Sequence, residues 1–178
     1  MLGRSQVFAR VALAGAVVAA ADLADAVVVW VVLFQRSTVQ RILQSIASGL
    51  LGPAAFRGGS TTALLGLVLH LVIALGWTLV FLVLLQRWPR LREWTRTVRG
   101  ALLVGVVYGA VVWLLMDGVV LPLSRARVTS PTAPWFWIQL ATHPLVVGLP
   151  IALILRGAEP SPAPLAPAPV GRAAQSDR

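Results

Sequence analysis

Residues 19–26 read Ala19-Ala20-Ala21-Asp22-Leu23-Ala24-Asp25-Ala26, and they lie inside an apolar run that extends over residues 11–34. A run of that length crosses a bilayer, which takes about 20 apolar residues. Two carboxylates at membrane depth are costly and face the bundle interior as a rule. Asp22 and Asp25 are three apart, so a helix places them on one face. The reading of this stretch as a membrane span, and not as a soluble helix, decides the fold class.

Composition agrees. Of 178 residues, 58% are hydrophobic and 12% charged, where soluble domains carry about 25% charged residues. The net charge is +9, and all 15 basic residues are Arg. These arginines flank apolar segments, so the excess reads as the topological bias of membrane loops and no nucleic-acid partner is expected. The chain has no Lys and no Cys. That excludes Walker-type phosphate loops, lysine Schiff bases, disulfides, thiol nucleophiles and cysteine-held clusters.

Four spans are expected, over about residues 7–34, 61–85, 100–123 and 135–155. The small residues at Ala19–Ala21 resemble a signal cleavage site, but the apolar run resumes at Ala26, which fits a retained span better. Along the first span Ala12, Gly15, Ala19, Asp22 and Ala26 form a stripe that admits a close helix neighbour. In the second span Ala63, Gly66, His70 and Ala74 share a face. In the third, Gly105, Gly109, Trp113 and Asp117 recur every four residues, and the glycine pair reads as packing within the chain. In the fourth, Gln139 and His143 share a face, and Pro144 loosens the helix beside them.

Between the first two spans, residues 38–51 read as an amphipathic helix with Val39, Ile42, Leu43, Ile46 and Leu50 on its apolar side. Ser37 with Gln40 fits a capping box, and Gly52-Pro53 a stop. The segment is too short to span, so it is either interfacial or re-entrant. Arginines at positions 87, 90, 92, 96 and 99 mark a cytoplasmic connection in which Pro89 breaks the helix and Trp88 and Trp94 suit the headgroup zone. Trp135, Phe136 and Trp137 form an aromatic cluster at the opposite interface. Residues 157–178, rich in Pro and Ala, read as a disordered cytoplasmic tail behind a membrane domain of residues 1–156. Ten arginines fall with the two termini and the second connection, and five on the other side. Both termini are therefore expected on the cytoplasmic side of the membrane.

Depth brings the polar groups together. At about 1.5 Å per residue, Asp22, Asp25 and Asp117 rise roughly 21, 26 and 25 Å from one face. By the same rise His70 and His143 descend roughly 14 and 12 Å from the other. Each span thus supplies at least one member of a layer made of Asp22, Asp25, His70, Asp117 and His143, with Gln139 beside it. Three readings stay open. The layer is a proton- or ion-linked site, since intramembrane Asp and His suit relays; four spans are few for a transporter, so this reading implies a homo-oligomer. Alternatively it only packs the bundle, in a structural or assembly protein. A third reading has His70 and His143 ligate haem iron or a metal. Beyond that reading no cofactor is expected, the partner is the lipid bilayer, and no catalytic residue is assigned, because no Gly-x-Ser-x-Gly elbow is present.

The stretches RILQSIASGLLGPAAF (41–56), GLVLH (66–70), MDGVVLPLS (116–124) and VGLPIA (147–152) resemble a family of bacterial four-span integral membrane proteins to which no activity is assigned. The resemblance covers residues 10–156. It implies a four-span bundle and supplies no cofactor. In that family the position of Asp117 is often Asn, which implies a hydrogen-bonding role there. In layout alone the chain is similar to YagU-type inner-membrane proteins, which are associated with acid resistance.

Overall fold

The computed structural model describes residues 3–127 and 132–158. Among the described residues all regular structure is helical. Four helices are long and apolar enough to cross a membrane: α1 (Arg4–Leu33), α3 (Gly59–Arg87), α5 (Val98–Leu123) and α6 (Pro134–Ile154). Two shorter helices join them, α2 (Val39–Leu51) and α4 (Pro89–Thr95). The expected tail falls almost wholly on residues 159–178, outside the described residues. The expected spans begin or end within a few residues of the observed helices, the largest difference being at the start of α1.

In the bundle α1 packs against α3 and against α6, and α6 packs on α5. The ring closes where the Tyr108 hydroxyl on α5 donates to the Trp77 carbonyl on α3, at 2.6 Å. Arg10 Nη1 donates to the Arg156 carbonyl at 2.9 Å, so the starts of the first span and the end of the last lie at one end of the bundle, together with α4. The other end carries α2. The halves differ in chemistry. Towards the α4 end the core is apolar: Val11, Val18, Phe81, Leu85, Val112, Ile151 and Leu155 are buried together. Towards the α2 end the interior is polar.

The connection at residues 88–97 is more helical than a broken loop. Trp88 is extended and Pro89 opens α4, because a proline at the first helical position loses only a donor that has no partner anyway. Trp88 and Trp94 are exposed there.

α2 departs from expectation at its start. Its N-cap is Thr38, not Ser37: the Thr38 hydroxyl accepts from the Arg41 N–H at 3.2 Å. Gln44 and Ser48 are buried with Ile42 and Ala47, whereas Val39 and Leu50 are exposed. The apolar stripe is thus split: Ile42 faces the bundle, Leu43 and Ile46 are half-buried, and Val39 and Leu50 are left on the outside, where lipid suits them. Gln44 anchors the buried side. Its Nε2 donates to the Gly59 carbonyl at 3.0 Å and to Thr62 Oγ1 at 3.3 Å, which ties α2 to the first turn of α3. The helices then touch at Gly66, where the Leu43 backbone occupies the space of a β-carbon.

Candidate functional site

Three of the four spans widen into π-helical turns, at Val28–Leu33, Met116–Val120 and Pro144–Gly148. Such turns occur mostly singly and often at functional sites. Here each adjoins a polar residue: Asp25 precedes the first, Asp117 lies in the second, and His143 precedes the third. The local cause is clearest in α6. Pro144 has no N–H to give to the preceding turn, so the regular ladder cannot continue through it. The loosened segment is held by α5, where Gly105 and Gly109 admit the Pro144 and Gly148 backbone. A β-carbon on Gly109 would come within 2.6 Å of Pro144 Cα. The glycine pair therefore packs inside the chain, as expected, and its packing fixes the height of His143.

Asp22 is the centre of the site. Its Oδ2 lies 3.8 Å from Nε2 of His70 on α3, and its Oδ1 lies 3.6 Å from Nε2 of His143 on α6. One carboxylate thus sits between two imidazoles from two other helices. Both histidines are buried, whereas the Asp22 side chain keeps 23% exposure.

The remaining imidazole contacts fix where protons can sit. His143 Nδ1 lies 3.1 Å from the Gln139 carbonyl, which can only accept, so Nδ1 carries the hydrogen. In the neutral ring Nε2 is then a bare acceptor facing a carboxylate oxygen. Two acceptors repel, so a proton on Nε2 or on Oδ1 would turn this contact into an attractive one. His70 Nε2 lies 2.9 Å from the Ala19 carbonyl, so its hydrogen points to the α1 backbone one turn below Asp22.

Asp25 is held separately. The Thr142 hydroxyl donates to its Oδ2 at 3.1 Å and also lies 3.4 Å from Gln139 Oε1. Trp113 packs its ring on His143, with centroids 4.6 Å apart. Asp117, one turn further along α5, is buried. Among the described residues the ion-pair contacts of His70 and His143 are to Asp22. Asp22, Asp25, His70, His143 and Gln139 are thus linked through Thr142, and the buried Asp117 follows Trp113, whose ring packs on His143, by one turn.

Two participants escaped the sequence reading. Thr142 had a usable signal, since it lies three residues after Gln139 and beside His143. The Ala19 carbonyl had none. The stripe on α1 also shifts: Val7, Val11, Ala14, Gly15, Val18 and Val29 are the buried positions, and Ala12 is exposed. Val7, Val11, Ala14 and Val18 join the apolar half of the core. On α3 Ala63, Gly66, His70 and Ala74 are all buried, as expected.

Among the described residues no three His, Cys, Asp or Glu side chains converge as a metal site. The two imidazoles instead turn their Nε2 atoms to one carboxylate. No family model, curated protein or solved structure matches the chain. The bacterial four-span resemblance thus rests on the quoted motifs alone. The established class is the broader one: a multi-pass helical membrane protein with buried His and Asp contacts.

Proposed function

We propose that the His70–Asp22–His143 array is a proton-linked site within the bundle. The observation that carries this reading is the placement of Asp22 between two imidazole Nε2 atoms at 3.8 and 3.6 Å. Short shifts convert these separations into hydrogen bonds of about 2.8 Å. In the transfer, a proton on Oδ1 passes to Nε2 of His143 as the Nε2 proton of a protonated His70 leaves the Ala19 carbonyl for Oδ2, so that His70 is left neutral with its hydrogen on Nδ1. The carboxyl group stays singly protonated, now on Oδ2, with one proton moved across it. His and Asp are the side chains suited to such exchange in a membrane. The uneven spread of arginines and the bacterial resemblance support a cytoplasmic-membrane location with cytoplasmic termini. A homo-oligomer is consistent with so small a bundle.

The test is proton flux into liposomes carrying the purified full chain under an imposed pH gradient. Wild-type protein passes protons and Asp22→Asn does not, while both remain folded. Wild-type vesicles as tight as empty ones would overturn the reading. A packing role is then favoured, for which the 2.9 Å contact of His70 with the Ala19 carbonyl already speaks.

A further inference from the structure

The α2 end of the bundle carries a second polar feature that the Asp/His array does not use. Residues 34–60 and 121–134 contain five arginines and no Asp or Glu. Three of these arginines, Arg41, Arg125 and Arg127, line one cavity of about 290 Å³ together with Ser48, Gly52 and Phe56. Like charges gathered without a counter-charge repel one another, and an anion between them removes that repulsion.

The cavity is built, not accidental. Arg41 sits over the Phe56 ring at 5.9 Å, which holds its guanidinium on one wall. The opposite wall is pinned by backbone: the Arg125 N–H donates to the Gly49 carbonyl at 3.0 Å, and Arg125 Nη1 reaches the Leu50 carbonyl at 3.4 Å. Gly52 turns the chain at φ 60° between these walls, a conformation that suits glycine. The cavity lies where α3 begins and α5 ends, the level at which spans leave the apolar layer. If this end faces outward, as the arginine count predicts, the positive-inside bias gives these five charges no reason to be there.

We infer that this cavity binds a phosphate group, as the headgroup of an anionic lipid or as a free phosphate ion. Guanidinium forks match phosphate oxygens in pairs, and the open cavity gives three of them access to one ligand.

The test uses the full chain in nanodiscs of phosphatidylcholine and phosphatidylglycerol, with bound lipid read by native mass spectrometry. Wild-type protein retains phosphatidylglycerol preferentially. The double variant Arg41→Gln, Arg127→Gln, which leaves the structural contacts of Arg125 intact, loses that retention by about tenfold through loss of charge-assisted contacts. The control Arg90→Gln, Arg96→Gln removes equal charge at the α4 end and keeps retention. Titration of detergent-solubilised protein with inorganic phosphate and with short-chain phosphatidylglycerol separates the sources. Tighter binding of the short-chain lipid assigns a lipid headgroup; equal or tighter binding of inorganic phosphate assigns a free ion. Absence of both, or equal loss in the control variant, overturns the site.

Discussion

His143 Nε2 faces Asp22 Oδ1 at 3.6 Å, while the second nitrogen of the same ring is occupied by the Gln139 carbonyl at 3.1 Å. The α6 backbone therefore selects which imidazole nitrogen meets the carboxylate. That selection lets the pair share one proton, as the proposed site requires. Asp22→Asn is expected to replace this proton with an amide hydrogen donated to Nε2, fixing His143 as a neutral ring. Nitrogen NMR of histidine-labelled protein checks this: Nε2 of the variant is a bare acceptor at neutral pH, whereas the wild-type signal reports a shared proton. Identical Nε2 signals in the two proteins would sink the shared-proton pair. The fold should survive, with a change in stability of about 1 kcal/mol, typical of one interhelical polar contact.

Thr142→Val tests the neighbouring contact. Valine keeps the shape and removes the hydroxyl that donates to Asp25 at 3.1 Å. The expected loss is about 0.6–1.7 kcal/mol, the range for side-chain hydrogen bonds between membrane helices. Reversible unfolding in mixed micelles measures it. Coupling belongs in the same experiment: in a double-mutant cycle with Asp25→Ala, the two losses should not add, because each removes one end of the same bond.

The span count and the nearness of Asp22, Asp25, His70, His143 and Gln139 to one another could be read from apolar run length and four-residue spacing. Those signals report periodicity and depth, and the backbone rise alone carries them into space. The direction of α2 could not be read in this way. Its stripe of Val39, Ile42, Leu43, Ile46 and Leu50 suits a protein core or lipid equally well, and the structure divides it between the two. Only the partners of Gln44 decide the matter, and these are backbone and side-chain atoms 15 and 18 residues away. The Ala19 carbonyl was invisible for a related reason: every residue has a carbonyl, and only tertiary placement shows which one an imidazole will meet.

Gln44→Leu follows from that orientation. Leucine fills the site but leaves the Gly59 carbonyl without the amide that donates to it at 3.0 Å. Gly59 is exposed and its carbonyl keeps the Thr62 hydroxyl at 3.2 Å, so the loss is that of one net hydrogen bond, about 0.5–1.5 kcal/mol. The loss should be local, because α2 packs chiefly on α3. Hydrogen exchange or limited proteolysis should therefore show earlier opening of residues 39–51, while the four spans stay protected. Unchanged protection of α2 would mean that its anchorage lies elsewhere.

Gly109→Ala joins packing to the site. The added β-carbon would lie 2.6 Å from Pro144 Cα and 2.7 Å from the His143 carbonyl oxygen. Backbone on both sides cannot swing aside as a side-chain tip can, so α6 must move away from α5. Overpacking of this kind costs about 1–3 kcal/mol. The consequence for the array exceeds that for stability, since His143 travels with the displaced segment and its distance to Asp22 grows. Gly76→Ala and Gly118→Ala are matched controls, as nothing lies within 4 Å of a β-carbon at either position. Both controls should unfold like wild type and leave the His143 nitrogen signals unchanged. Gly109→Ala should lower stability and shift His143 towards the fixed neutral ring expected for Asp22→Asn. If Gly109→Ala lowers stability but leaves the His143 signals in place, α6 has absorbed the strain beyond Pro144, and the glycine pair does not set the height of the histidine.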